Sequence, residues 1–92
     1  MGLFGFGSKS KEDYEREIEN LQRKIERLNA DLESHKVTIA NVKSTAMHNR
    51  RPLSQGDNRN IEGWEKQMDY IRRQIQSCMD EISSIKEKMK RV

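Results

Sequence analysis

The sequence predicts an all-α fold, an antiparallel two-helix hairpin of the coiled-coil type, with association of hairpins into a larger helical bundle left open. Two runs of apolar residues advance by alternating steps of three and four, and a segment rich in helix-breaking residues separates them. Such steps mark the a and d positions of coiled-coil heptads. The 92 residues are 33% hydrophobic and 36% charged, so a single unit must place its apolar residues economically.

Residues 1–10 are expected to form a flexible, apolar and basic tail. Large apolar residues are spaced by glycines in LFGFG and are followed at once by lysines. An apolar anchor flanked by lysines suits shallow docking on an anionic membrane. Two other readings stay open, namely that the phenylalanines cover the open end of the helix pair or that the segment is disordered. The expected membrane-binding residues are Leu3, Phe4, Phe6, Lys9 and Lys11.

The first helix is predicted over residues 11–46. Ser10 and Asp13 resemble a capping pair, and acidic residues gather in the first turns, where the helix dipole is positive. Nearly all flanking positions are polar, so the apolar seam is a narrow stripe. Its members are Tyr14, Ile18, Leu21, Ile25, Leu28, Leu32, His35, Ile39, Val42 and Ala46.

A loop is predicted over residues 47–60 and a second helix over residues 61–91. Pro52, Gly56 and nearby Asp and Asn residues argue against helix and place the cap between positions 57 and 60. Gly63 either marks the start of this helix or lets a partner backbone approach. The second seam comprises Ile61, Trp64, Met68, Ile71, Ile75, Cys78, Ile82, Ile85, Met89 and Val92.

The two seams have ten positions each, so folding the chain back at the loop matches every layer. Position numbers of facing residues then sum to about 106 or 107, which pairs Leu21 with Ile85 and Ile39 with Met68. Pairing of helices from two different chains would bury the same seam residues, so this alternative stays open. Because two helices alone bury one stripe each, we expect self-association or a helical partner, contacted through the off-seam residues Val37, Met47, Tyr70 and Met79.

No residue pattern indicates catalysis, a cofactor or a small-molecule substrate. The two histidines and Cys78 lie far apart on the predicted hairpin and lack metal-ligand spacing. His35 on the seam either sets helix pairing or acts as a pH-sensitive element. Cys78 is expected to be a small buried hydrophobe. We therefore expect no enzymatic activity and no metal site.

The predicted loop over residues 47–60 is rich in arginine. A basic loop on a rigid helical scaffold favours protein binding. Both helices carry nearly equal numbers of acidic and basic residues, whereas duplex binding requires a wider basic face, so nucleic acid is disfavoured. Trp64 lies on the seam and is expected to pack in the core. The expected partner-binding residues are Arg50, Arg51, Arg59, Tyr70 and Met79.

Two family resemblances follow from short motifs. LFGFG, residues 3–7, and SKSK, residues 8–11, followed by a charged hairpin resemble the front part of membrane-remodelling filament subunits of the ESCRT-III and phage-shock class. The size, the two helices and the pair Gly63-Trp64 resemble the small partner proteins of bacterial type VII secretion, which have a Trp-x-Gly turn. The first resemblance implies membrane-associated assembly, and the second implies export as a heterodimer.

The expected function is a non-enzymatic coiled-coil interaction or assembly protein with a membrane-docking amino-terminal tail. The alternatives are a soluble small adaptor or inhibitor that docks on one protein, and a type VII secretion-like hairpin partner. No apolar run reaches the roughly 18 residues of a membrane span, and Cys78 has no internal disulfide partner. These features favour a cytoplasmic chain, peripheral to the membrane if the tail docks.

Overall fold

The computed structural model describes residues 9–91 and has the predicted all-α hairpin architecture. Helix α1 spans Lys11–His48, helix α2 spans Gln55–Met89, and the chain reverses direction between them. The two helices pack along their length into a rod of 72 × 18 × 17 Å. The predicted helical hairpin is therefore confirmed. The tail predictions for Leu3, Phe4 and Phe6 lie outside the described residues, as does the seam position Val92.

The heptad spacing correctly marks the inward side of both helices. Every seam residue from Tyr14 to Met89 is buried or half-buried, including His35 and Trp64. α2 contributes more fully buried residues to this seam than α1 does, five compared with one. The buried residues are Ala46, Ile61, Met68, Ile71, Cys78 and Ile82.

The predicted boundaries around the loop are wrong. α1 continues two residues past position 46, and α2 begins at Gln55, six residues before the predicted start. Ser54 caps α2, since its side chain accepts the backbone N–H of Asp57 at 3.0 Å while the Asp57 carboxylate accepts the Ser54 N–H at 3.3 Å. This capping box satisfies the first turn, so Gly56 and the polar residues after it continue the helix instead of ending it.

The turn between the helices is closed by a Schellman motif. Arg50 has a φ of 51°, and its backbone N–H donates to the carbonyl of Met47 at 3.0 Å. The N–H of Arg51 donates to the carbonyl of Ala46, also at 3.0 Å. Pro52 follows immediately and cannot continue the helix. These bonds compress the predicted fourteen-residue loop into residues 49–54.

The start of α1 agrees with its prediction. Ser10 accepts the N–H of Asp13, and the Asp13 carboxylate accepts the Ser10 N–H, each at 3.2 Å. The hydrogen bond from the Ser10 backbone N–H to the carboxylate, and after it the interaction with the Ser10 side chain, lower the pKa of the Asp13 carboxyl. The helix dipole adds to the preference for negative charge at this position.

Candidate protein interaction surfaces

The hairpin presents two broad faces, one on each side of the seam. Heptad positions c and g of both helices lie on the side named here the Tyr70 face, and positions b and e lie on the side named the Met79 face. On the Tyr70 face the residues between the two helix ends are Glu17, Asn20, Lys24, Arg27, Asp31, Ser34, Thr38, Asn41, Thr45, Asn60, Gly63, Gln67, Tyr70, Gln74, Ser77, Glu81, Ser84 and Lys88.

Each face has an open depression that reaches the seam. On the Tyr70 face a depression of about 420 Å³ has Leu21 and Ile85 among its lining residues, with Glu17, Glu81 and Lys88 beside them. The shared lining places residues 17–21 of α1 level with residues 81–88 of α2. This level supports the predicted antiparallel register.

The depression on the Met79 face lies nearer the loop. It measures about 410 Å³ and is lined by Ile39 and Met68 together with charged residues from both helices, among them Lys36, Glu65 and Arg72. Seam residues are therefore reached from both sides of the rod. Two helices do not close this core.

The two faces differ in charge over the half of the rod nearest the loop. From residue 34 to residue 45 and from residue 60 to residue 77, every c and g position carries an uncharged side chain or glycine. The Met79 face over the same length includes Lys36, Lys43, Glu65, Asp69 and Arg72. Interface centres are depleted in charged residues, and the Tyr70 face shares that depletion over this length.

Tyr70 and Met79, predicted as one contact, lie on opposite sides of α2. They are nine positions apart, about two and a half helical turns, and both are well exposed, at 61% and 50%. Val37 points away from the partner helix, and Met47 lies on the Met79 side near the loop, both exposed. The exposed apolar residues are thus single and scattered, and a flat partner surface cannot cover all of them.

Arg51 is the loop arginine that the structure brings to the Tyr70 face. It lines a depression of about 210 Å³ with Asn41, Thr45 and Asp57 at the loop end of that face. Arg50 occupies the left-handed position of the turn, and Arg59 lies in the second turn of α2, on the side away from α1. Arg51 and Arg59 therefore lie on different sides of the hairpin.

At the opposite end of the rod the start of α1 lies beside the end of α2. Lys9 forms an ion pair with Glu17 and lies 6.0 Å from the centre of the Tyr14 ring. Its hydrogen bond to Glu17 is the main cause that raises the pKa of the Lys9 ammonium. Lys90 pairs with Glu87 at 3.5 Å, while Lys11 is exposed in the first turn. Lys9, predicted to bind membrane, is therefore also a local partner of α1.

The residues with reactive side chains are separated from one another. Cys78 is a free thiol with 3% of its surface exposed, inside the seam. His35 donates from Nδ1 to the carbonyl oxygen of Asp31 at 2.8 Å. Within residues 9–91, no group of three or more His, Cys, Asp or Glu residues could hold a metal ion. Over the same residues, neither helix has an apolar stretch long enough to cross a membrane.

Thr38, Gln67 and Gln74 were missed by the sequence prediction, which considered large apolar residues and loop arginines as partner-binding residues. They lie at g positions of the Tyr70 face, and Thr38 and Gln74 are half-buried. The usable signal was the absence of charge along one side of the heptad, not hydrophobicity.

Comparisons with protein families, with curated proteins and with solved structures find no match to this chain.

Proposed function

We propose that the chain is a non-enzymatic helical-hairpin protein that works by packing against another protein. The observation that supports this proposal is the incomplete burial of the α1 seam. Ala46 alone of its ten seam residues is buried, and the other nine are half-buried. A hairpin of two helices covers one stripe per helix, so the edges of that stripe remain in contact with water.

A docked helix or helix pair would cover those edges. Each additional Å² of apolar surface removed from water contributes about 25 cal/mol to the binding free energy. Partial covering of the seam edges along the whole rod therefore gives a substantial total. The depressions at Leu21 and Ile85 and at Ile39 and Met68 are the places where partner side chains would enter. An assembly protein and a small adaptor or inhibitor share this mode of binding.

Membrane docking of the tail is the second candidate. The start of α1 and the end of α2 lie at the same end of the rod, which is the end to which residues 1–8 are attached. Exposed basic residues accumulate there, and they would add electrostatic attraction to insertion of Leu3, Phe4 and Phe6 into an anionic surface. The exposed basic residues are Lys11, Lys86, Lys88, Lys90 and Arg91.

Photocrosslinking in the native cell tests the protein-binding proposal. A benzophenone-bearing phenylalanine analogue replaces Tyr70, Met79 or, as the matched control, Arg73, which lies on the side of α2 away from α1. We expect a protein adduct from position 70 or 79 and none from position 73. Absence of any protein adduct from both faces would contradict the proposed function.

A further inference from the structure

We propose that the Tyr70 face binds a second copy of this chain, with the two-fold axis parallel to the rod and both loops at the same end. The product is a four-helix bundle in which α1 of each copy lies over α2 of the other. This inference rests on the proposed function and names its partner.

The symmetry follows from the shape of the hairpin. A rotation of half a turn about an axis along the rod leaves every residue at the same position along that axis. It places α1 of one copy against α2 of the other. Residues that share a level within one hairpin, such as Leu21 and Ile85, therefore also share a level between copies. All neighbouring helices are then antiparallel, as in an ordinary up-down four-helix bundle.

Charges on the Tyr70 face are complementary under this rotation. Glu17 lies level with Lys88, since both line one depression, and Lys24 lies level with Glu81 by the same register. Nearer the loop, the part of α1 whose c and g positions are uncharged faces the corresponding part of α2. Among residues 9–91 on this face, no two residues of like charge lie at the same level. On the Met79 face the charges are mixed, because Lys36 and Arg72 line the same depression as Glu65 and Asp69, so the same rotation there would bring Lys36 and Arg72 together as one pair of like charges.

Side-chain sizes at the c positions are complementary too. Asn41 meets Gly63 and His48 meets Gly56, while Tyr70 of one copy meets Ser34 of the other. An added Cβ at Gly63 would touch nothing within the hairpin, so nothing inside one copy requires a glycine there. Small residues opposite large ones allow helices to approach closely.

The g positions have side chains that suit a reversible interface. Apart from Asp57 in the first turn of α2, the half-buried helical residues outside the two seams are Glu17, Thr38 and Gln74, all at g, so the core extends towards this face. The Thr38 hydroxyl donates to the carbonyl of Ser34 at 2.9 Å, which leaves its oxygen free to accept from the amide of Gln67 on the other copy. Non-obligate interfaces are about as polar as the remaining surface.

The available area is sufficient for a dimer. A face about 18 Å wide and about 55 Å long, at 1.5 Å per residue, offers about 1,000 Å² per copy. Specific interfaces bury a total of about 1,200–2,000 Å². Full overlap of the two hairpins reaches this range.

Disulfide trapping tests the arrangement in full-length chain that carries Cys78→Ala. The test pair is Ser34→Cys with Tyr70→Cys on the Tyr70 face, and the matched control is Glu33→Cys with Gln76→Cys on the Met79 face. Disulfides require Cα atoms within about 7 Å, so we expect the test pair to link two chains and the control pair to remain monomeric on a non-reducing gel. Linkage by the control pair alone would overturn the proposal.

Sedimentation equilibrium of the chain without added cysteines supplies the second test. We expect a mass approaching twice the 10.9 kDa of one chain at about 100 µM. Gln67→Lys buries an unpaired charge and should weaken the dimer by at least about tenfold, whereas Gln76→Lys on the other face should not. A monomer at this concentration, or equal weakening by both variants, would overturn the proposal.

The two proposals fail in different ways. A monomeric chain that crosslinks from position 70 to a different protein in the cell would overturn the second-copy inference and support the proposed function. A monomeric chain without any protein adduct would overturn both.

Discussion

The backbone N–H of Arg51 donates to the carbonyl of Ala46 at 3.0 Å, five residues back, and this bond closes the turn that reverses the chain. It requires Arg50, the residue immediately before Arg51, to adopt a φ of 51°. Most helices with this ending place glycine there, because a Cβ in the left-handed region costs about 1 kcal/mol.

Arg50→Gly should therefore stabilise the hairpin by about 1 kcal/mol in urea unfolding followed by circular dichroism. Arg50→Ala removes the same charge but keeps the Cβ, so it should leave the unfolding free energy nearly unchanged. Equal stabilisation by both variants would trace the effect to charge and contradict the backbone explanation.

Ser54→Ala should destabilise the hairpin by about 1 kcal/mol, because the N–H of Asp57 loses its acceptor at the start of α2. Ser54→Gly should cost only a few tenths of a kcal/mol, since glycine at this position leaves the backbone open to water. Thermal unfolding of the three proteins provides the measurement. A larger loss for glycine than for alanine would contradict the capping role.

The Asp13 carboxyl should titrate below its ordinary value of 3.8, since its hydrogen bonds with Ser10 lower its pKa. A depressed folded-state pKa contributes stability that is present above pH 3.8 and is lost as the pH falls below it through the folded value. Carbon-detected NMR titration of the carboxyl group measures the shift. Ser10→Ala removes the side chain but keeps the backbone N–H, which is the larger cause, so it should move the pKa only part of the way back towards 3.8. An unchanged titration would show that the Ser10 side chain does not contribute.

Gly63→Ala should raise the stability of the isolated hairpin by about 1 kcal/mol, because Gly63 lies inside α2 and the new methyl group has open space. The same change should weaken the proposed dimer, where Asn41 of the second copy approaches this position. Urea unfolding at low concentration and sedimentation at high concentration separate the two effects. A gain in both would show that the glycine does not serve close approach.

Removal of residues 1–7 should abolish flotation with anionic liposomes while the helical circular dichroism signal stays the same. The physical reason is that apolar insertion and basic attraction are each weak alone. Neutral liposomes are the control for the electrostatic part. Flotation that persists without the tail would assign lipid binding to the hairpin itself, and no flotation of the full chain would remove the membrane candidate.

The hairpin and its register could be predicted because heptad spacing is a local property of the sequence. Steps of three and four residues already place Leu21, Ile85, Ile39 and Met68 on inward sides. The start of α2 could not be placed from composition, because Gly56 and its polar neighbours suggest a loop. The capping box of Ser54 with Asp57 outweighs that preference.

The early start of α2 also changes the interpretation of Gly63. Once α2 begins at Gln55, this glycine lies well inside the helix, and its interpretation as a helix start is wrong. The grouping of Tyr70 with Met79 also needed the structure, because exposure alone does not say which side of a helix a residue faces.

By itself, the sequence determined two amphipathic helices, a turn between them and the identity of the seam, because periodic apolar residues specify which side of a helix avoids water. The tertiary structure decided where the turn closes, how little of the α1 seam becomes buried, and which polar residues share a face. Those properties depend on long-range packing of α1 against α2, which brings residues such as Glu17 and Lys88 to one depression although they are far apart in the chain.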